Sequence, residues 1–110
     1  MKYLVNGTDG PGFTSAEEAL AVLEKLILPT FARLIKLEAD DKVLAGGLPV
    51  GARAFSFIIE AASHEELDDL LRSLPAWGLL NWSIIPLQSF DARAAYEQRL
   101  VDELKKEQLC

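Results

Sequence analysis

The chain has 110 residues, of which half are hydrophobic and a quarter are charged, and its formal net charge at pH 7 is -6. This length predicts a single domain, because chains divide at roughly 100 to 200 residues per domain. The composition is typical of a globular fold and excludes disordered, collagen-like and rod-like proteins. The negative charge disfavours binding to the phosphate backbone of a nucleic acid.

The only cysteine is Cys110, which excludes an intramolecular disulfide and a thiolate metal cluster and favours a reducing cytoplasm. The apolar stretch before Asn6 is much shorter than the roughly 7 to 15 residues of a signal peptide. No segment approaches the roughly 18 apolar residues of a membrane span. We therefore expect neither export nor membrane insertion.

The first third of the chain predicts a strand and a long helix. Residues 2–6, KYLVN, are rich in strand formers, and the turn cluster TDGPG follows at residues 8–12. Thr14 and Ser15 each stand three residues before a glutamate, so either can close a capping box at the start of the helix. Pro29 removes one backbone hydrogen bond and should bend this helix. Its apolar stripe consists of Ala16, Leu20, Leu23, Ile27, Phe31 and Leu34.

The middle of the chain predicts two strands and a second helix. After the acidic residues 39–41, KVLAGGLPVG at 42–51 predicts a short strand and a Gly and Pro turn. The alternation in RAFSFIIEA, residues 53–61, predicts the clearest strand, with Phe55, Phe57 and Ile59 on one face. Ser63 and Glu66 form a second capping box, which opens a helix that ends before Pro75.

The last part predicts a fourth strand and a third helix. LLNWSIIPLQ, residues 79–88, has the composition of a strand, and Pro86 places that strand at a sheet edge because proline cannot donate to a ladder. A final helix runs from about Asp91 to about Lys106. Its apolar residues recur at four-residue steps, at Ala92, Tyr96, Leu100 and Leu104.

This element order predicts an α+β fold. Each half contains a strand, a capped helix and a strand, and right-handed crossovers joined by a hairpin give a ferredoxin-like βαββαβ antiparallel sheet of strand order 4-1-3-2. We expect this domain to span residues 1–90, with residues 91–110 as a C-terminal helical extension. Both main helices lie on one face, so the apolar opposite face needs a partner, which predicts a homodimer or higher homo-oligomer.

Residues 63–87, SHEELDDLLRSLPAWGLLNWSIIPL, resemble the muconolactone delta-isomerase family. The shared features are a Ser-led acidic cap, the helix ELDDLLRSLP, a short aromatic loop and a strand entered through Asn81, and the likeness reaches back over the preceding strand. The resemblance implies a dimeric α+β barrel, in which two sheets pack face to face. It also implies proton-shift isomerisation of an unsaturated lactone or a related small carboxylate. The shared residues are apolar and capping residues, so the resemblance assigns no catalytic residue.

One candidate ligand-binding cluster lies at the end of the first strand. The predicted topology brings Asn6, Arg53 and Asn81 to the same end of the sheet, within reach of Trp77 and Trp82. An arginine between two amides and beside aromatic rings could bind a carboxylate, because a guanidinium pairs with both carboxylate oxygens. Alternatively, Arg53 pairs with a surface acid, the asparagines stabilise turns, and the tryptophans are packing residues.

Two catalytic candidates lie at the opposite end of the sheet. Glu60, in an apolar strand, could have a raised pKa and act as a general base, or could form an exposed ion pair with Lys2. His64, the only histidine, could shuttle protons near neutral pH, or could be a surface residue in the first turn of a helix. Glu60 and Arg53 stand about 23 Å apart along one strand, so they cannot hold one small substrate together.

Nothing in the sequence predicts a metal or a cofactor. No second histidine or cysteine stands at ligand spacing, GGLPVG at residues 46–51 lacks the lysine and helix of a phosphate loop, and no GxSxG motif is present. We therefore expect no metal and no cofactor, and the resemblance to the muconolactone delta-isomerase family implies a small-molecule isomerase. The alternative is a non-catalytic module for small-ligand binding or oligomerisation.

Overall fold

The computed structural model describes residues 1–109, and Cys110 lies outside them. Four strands form one antiparallel sheet: β1 (Lys2–Thr8), β2 (Val43–Gly47), β3 (Phe55–Glu60) and β4 (Asn81–Leu87). The strand order is β2-β3-β1-β4, which is the predicted 4-1-3-2 order seen from the other edge. The ferredoxin-like fold is confirmed, and β4, which contains Pro86, is an edge strand as expected.

The helices are α1 (Ala16–Val22), α2 (Leu28–Ala39), α3 (His64–Arg72) and α4 (Phe90–Leu109). A π-helical turn, Leu23–Ile27, joins α1 to α2, and a short 3-10 turn, Trp77–Leu79, precedes β4. Within the described residues no helix has both the length and the hydropathy needed to cross a bilayer.

The alternation along β1 separates the two faces of the sheet. Tyr3 and Val5 are buried on the face that the helices cover, while Leu4 and Asn6 point to the other face, since successive strand residues alternate. Leu4 is opposite Ile58 on one side and Ile85 on the other. These three residues form an apolar row on a face without helical cover, as the sequence predicts. Phe55, Phe57 and Ile59 are buried on the covered face, which is also the predicted arrangement.

The expected interruption at Pro29 takes the form of the π-helical turn that precedes it. The N–H of Leu28 donates to the carbonyl of Leu23, five residues back, instead of to that of Glu24. A proline inside a helix lacks the N–H for the usual bond, and its ring crowds the carbonyl four residues earlier. The wider π turn, with Pro29 in the first turn of α2, accommodates both effects.

Side chains cap the first and third helices where the sequence places capping boxes. Ser15 Oγ accepts from the N–H of Glu18, and Ser63 Oγ accepts from the N–H of Glu66, both at 3.1 Å. Thr14 binds the Glu18 carboxylate through its hydroxyl and its N–H, and these bonds lower the pKa of Glu18. Thr14 and Ser15 therefore share the cap that the sequence could assign to either.

The last helix, α4, projects from the rest of the chain. It has 20 residues, none of them buried, and would measure about 30 Å at the usual helical rise. The chain extends 73 Å along its longest axis but only 28 and 22 Å along the other two. The stripe of Tyr96, Leu100 and Leu104 is 41 to 52 % exposed, so about half of each side chain is open to solvent in the single chain.

An ion pair that the sequence analysis did not anticipate joins β2 to α3. Lys42 Nζ lies 2.8 Å from Glu66 Oε1, and Glu66 Oε2 accepts from the N–H of Ala62 at 2.8 Å. The hydrogen bond from Lys42, and next the one from Ala62, lower the pKa of Glu66, while Glu66 raises the pKa of Lys42. Because Lys42 directly precedes β2, the pair holds the start of α3 against the start of β2.

We predict that Thr30→Val lowers the free energy of unfolding by about 1 to 3 kcal/mol. Thr30 is fully buried, and its hydroxyl donates to the carbonyl of Leu26 at 2.7 Å and accepts from the N–H of Ala76 at 2.8 Å. Valine keeps the shape but leaves the Ala76 N–H without an acceptor. Urea unfolding at one protein concentration measures the change. Thr8→Val, at an exposed strand end, is the control, and equal midpoints for the two variants would contradict the prediction.

We predict that Glu66→Gln destabilises the protein at neutral pH and that its difference from wild type shrinks towards about pH 3. The folded-state pKa of Glu66 lies below its ordinary value of 4.5, so its carboxylate stabilises the fold above that value and loses this effect as the pH falls through the folded pKa. Melting temperatures across a pH series test this, with the exposed neighbour Glu65→Gln as control. A difference that does not change with pH would contradict it.

Candidate functional site

Arg53, the central residue of the predicted carboxylate-binding cluster, lies just before β3 and binds the loop that follows β1. Its Nε donates to the carbonyl of Gly10 at 3.1 Å, and the N–H of Gly10 donates to the Arg53 carbonyl at 2.9 Å. This approach requires glycine, because a Cβ on Gly10 would lie 2.6 Å from the Arg53 oxygen. The expected ion pair between Arg53 and a surface acid is absent from residues 1–109, and the terminal guanidinium nitrogens have no protein hydrogen bond there.

Asn81 and Asn6 do not converge on Arg53 as the sequence predicts. Asn81 Nδ2 donates to Asp9 Oδ2 at 3.0 Å, so this side chain fixes the other side of the same loop. Asn6 lies on the uncovered face of the sheet, where its amide oxygen accepts from Ser56 Oγ at 2.7 Å. The structure therefore places Arg53 and Asn81 around one loop and keeps Asn6 apart, because the strand alternation points Asn6 away from the helices.

Trp77 and Trp82 contact each other and the core. Trp82 Nε1 donates to the carbonyl of Trp77 at 2.9 Å, and the Trp82 ring meets Phe57 edge to face at 6.4 Å between centroids. A Cβ on Gly7 would lie 2.7 Å from the Trp82 ring, so the ring lies flat on β1. The Arg72 guanidinium covers Trp77 at 4.6 Å from the ring centroid. Both tryptophans are packing residues here, and neither lines the cavity beside Arg53.

That cavity, which we call the Arg53 cavity, has a volume of about 270 Å³. It lies between the loop at residues 10–13, the π-helical turn, and the segment that leads into β3. Leu23 and Ile27, the first and last residues of the π turn, both line it, so the distortion that Pro29 causes forms part of its wall. Arg53 is the only charged residue of the lining within residues 1–109. The other large side chains are Phe13, Phe31, Leu48, Phe55 and Leu80.

Glu60, the first catalytic candidate, occupies an exposed ion pair. Its register partner is Lys2, as predicted, but its carboxylate lies 2.9 Å from the amino group of Met1 instead. The Glu60 side chain is 42 % exposed and lines none of the cavities described here. The apolar setting on which its proposed role as a base depends is not present.

His64, the second catalytic candidate, is exposed but has one buried partner. Its Nδ1 lies 2.7 Å from the hydroxyl oxygen of Tyr3, and the two rings meet edge to face with centroids 5.8 Å apart. Tyr3 is only 1 % exposed. The sequence analysis did not identify Tyr3 as part of a site. The predicted pairing of Lys2 with Glu60 could have pointed to it, because Tyr3 follows Lys2 and so lies near the end of β3, just before α3 begins.

The described residues include no group of three or more His, Cys, Asp or Glu side chains placed to hold a metal ion. Two concave regions of the described residues combine apolar walls with a polar side chain. One contains Arg53 at one end of β1, and the other contains the Tyr3 and His64 pair at the opposite end.

Neither a family model nor a curated protein matches this sequence, but solved structures do. One is 5-chloro-2-hydroxyhydroquinone dehydrochlorinase from Burkholderia phenoliruptrix, in complex with 2,5-dihydroxybenzoquinone. It is 23 % identical, covers 84 % of this chain and 98 % of its own, and has a TM-score of 0.62.

A second similar structure is that of muconolactone isomerase. It is 19 % identical, covers 81 % of this chain and 90 % of its own, and has a TM-score of 0.67. These identities are low, so the likeness concerns the backbone arrangement and assigns no activity. The chain therefore has the α+β fold of muconolactone isomerase, as the resemblance of residues 63–87 predicts.

Proposed function

We propose that this protein is a small-molecule enzyme of the muconolactone isomerase type, which holds an unsaturated lactone or a related small carboxylate in the Arg53 cavity. The observation that carries the proposal is a cavity with apolar walls and one charged residue, Arg53, in its lining. The fold adds support, since one protein that shares it is an isomerase and another is a dehydrochlorinase in complex with a small ring compound.

The cavity has the size and chemistry for one substituted ring. Apolar cavities of about 150 Å³ accept benzene, so the 270 Å³ here has room for a five- or six-membered ring with a carboxylate. Phe31 and Leu80 would contact the ring. The terminal nitrogens of Arg53 would bind both carboxylate oxygens, while its Nε remains on Gly10.

A proton shift also needs a base, and the lining of the Arg53 cavity within residues 1–109 contains neither an acid nor a histidine. In our proposal a second copy of the chain supplies the base, because Arg53 already binds the substrate's carboxylate. This observation favours the alternative function, a protein that binds a small carboxylate without converting it. Incubation of a lactone in deuterated water separates the two functions, because only an enzyme exchanges the ring protons that it moves.

We predict that Arg53→Gln weakens the binding of a muconolactone-type carboxylate by about tenfold or more, which is the usual effect of losing a hydrogen bond to a charged group. Calorimetric titration measures the affinity, and the methyl ester of the same lactone should bind wild type and variant alike. Arg33→Gln is the matched control, since that arginine donates to Ser73 and does not line the Arg53 cavity. Equal loss with the ester, or no loss with the acid, would contradict the proposal.

We also propose that the protein is a homodimer or higher homo-oligomer, in which α4 contributes to the interface. Deletion of residues 91–110 should lower the number of subunits per particle, which light scattering gives as the particle mass divided by the mass of the shortened chain, because the stripe of Tyr96, Leu100 and Leu104 is about half exposed in the single chain. All four strands lie before the deletion, so the circular dichroism of the sheet should persist. An unchanged number of subunits would show that α4 is not part of the interface. A cytoplasmic location remains a prediction.

A further inference from the structure

A second concave site lies at the other end of β1, between α3 and β4. This site, which we call the His64 groove, has a volume of about 270 Å³. Its walls are apolar on both sides, with Leu67 and Leu71 from α3 and Ile84 and Pro86 from β4, and Tyr3 and His64 also line it. It shares no residue with the Arg53 cavity.

Two consecutive hydrogen bonds connect His64, Tyr3 and Met1 at the groove. The Tyr3 hydroxyl lies 2.7 Å from His64 Nδ1 and 3.7 Å from Met1 Sδ. The hydroxyl can therefore donate to the sulfur while it accepts from Nδ1–H. In that tautomer His64 Nε2 carries a lone pair, and within residues 1–109 this nitrogen has no hydrogen-bond partner. A buried phenol thus orients the one histidine of the chain beside an apolar groove.

We propose that the His64 groove binds a small planar ring with one weakly acidic hydroxyl group, and that His64 Nε2 accepts the proton of that hydroxyl. The ring lies on the apolar walls, where no charged group is needed to hold it. One proton moves from the ligand oxygen to Nε2, which gives a phenolate and an imidazolium. Tyr3 is the positioning residue, because its oxygen accepts from Nδ1–H before and after the transfer.

The charges around the groove suit this transfer. Asp68, which stands four residues after His64 on α3, also lines the groove. Asp68 is itself paired with Arg72 at 3.0 Å, which limits its repulsion of a phenolate. The Met1 amino group and Glu60, which also lie at this end of the sheet, form an ion pair with each other.

The test uses 4-nitrophenol, which absorbs visible light as the phenolate and contains no carboxylate. Addition of the full-length protein at a pH below the solution pKa of the phenol should raise the phenolate absorbance. His64→Gln should weaken binding about tenfold and abolish the absorbance change. Glu65→Gln, in the same helical turn and exposed, is the matched control and should behave as wild type.

The nitrogen resonances of His64 provide the second readout, and they are unambiguous because the chain has one histidine. Saturating 4-nitrophenol should convert its two ring nitrogens to the imidazolium pattern. Tyr3→Phe should change the ratio of the two tautomers without ligand, which a purely packing role of the hydroxyl would not do. Unchanged affinity in His64→Gln, or unchanged nitrogen shifts at saturation, would overturn the proposal. The His64 nitrogen shifts and the His64→Gln variant report on this groove, which shares no residue with the Arg53 cavity, so either result is independent of ligand binding there.

Discussion

β1 is hydrogen-bonded along both edges, to β3 and to β4, and these two antiparallel pairings set the register of the sheet. A shift of one residue would move Tyr3 and Val5 from the core to the open face, because side chains alternate along a strand. The same register puts Gly7 under Trp82 and directs the loop after β1 to Arg53. Tyr3 reaches His64 for the same reason. Both candidate sites therefore depend on the placement of one seven-residue strand.

The Arg53 cavity also depends on a local departure from regular helix. Pro29 cannot complete the helical hydrogen-bond ladder, and the chain forms a π-helical turn ahead of it, whose first and last residues line the cavity. Thr30 then fixes this region to the segment after α3 through the N–H of Ala76. Turns of this kind occur frequently at functional sites. Here the π-helical turn ahead of one proline supplies two residues of a cavity wall.

Most of the fold could be predicted from the sequence, because the signals that carry it are local. The capping boxes at Ser15 and Ser63 predicted the starts of α1 and α3, and the alternation through Phe55, Phe57 and Ile59 predicted β3. The short connections between these elements restricted the sheet to few possible topologies. The candidate site could be predicted only in part. Arg53 was placed at the correct end of the sheet, but the partners of Asn6, Lys42 and Tyr3 depend on which side chains meet across the sheet, and no local pattern contains that information.

We have proposed that the Arg53 cavity binds a small ring with a carboxylate, and a crystal structure of the protein with a muconolactone-type acid would test this. We expect the ring between Phe31 and Leu80, with both carboxylate oxygens within hydrogen-bond distance of the terminal nitrogens of Arg53. A cavity closed by its own side chains, or a ligand bound at any other site while this cavity remains empty, would contradict it.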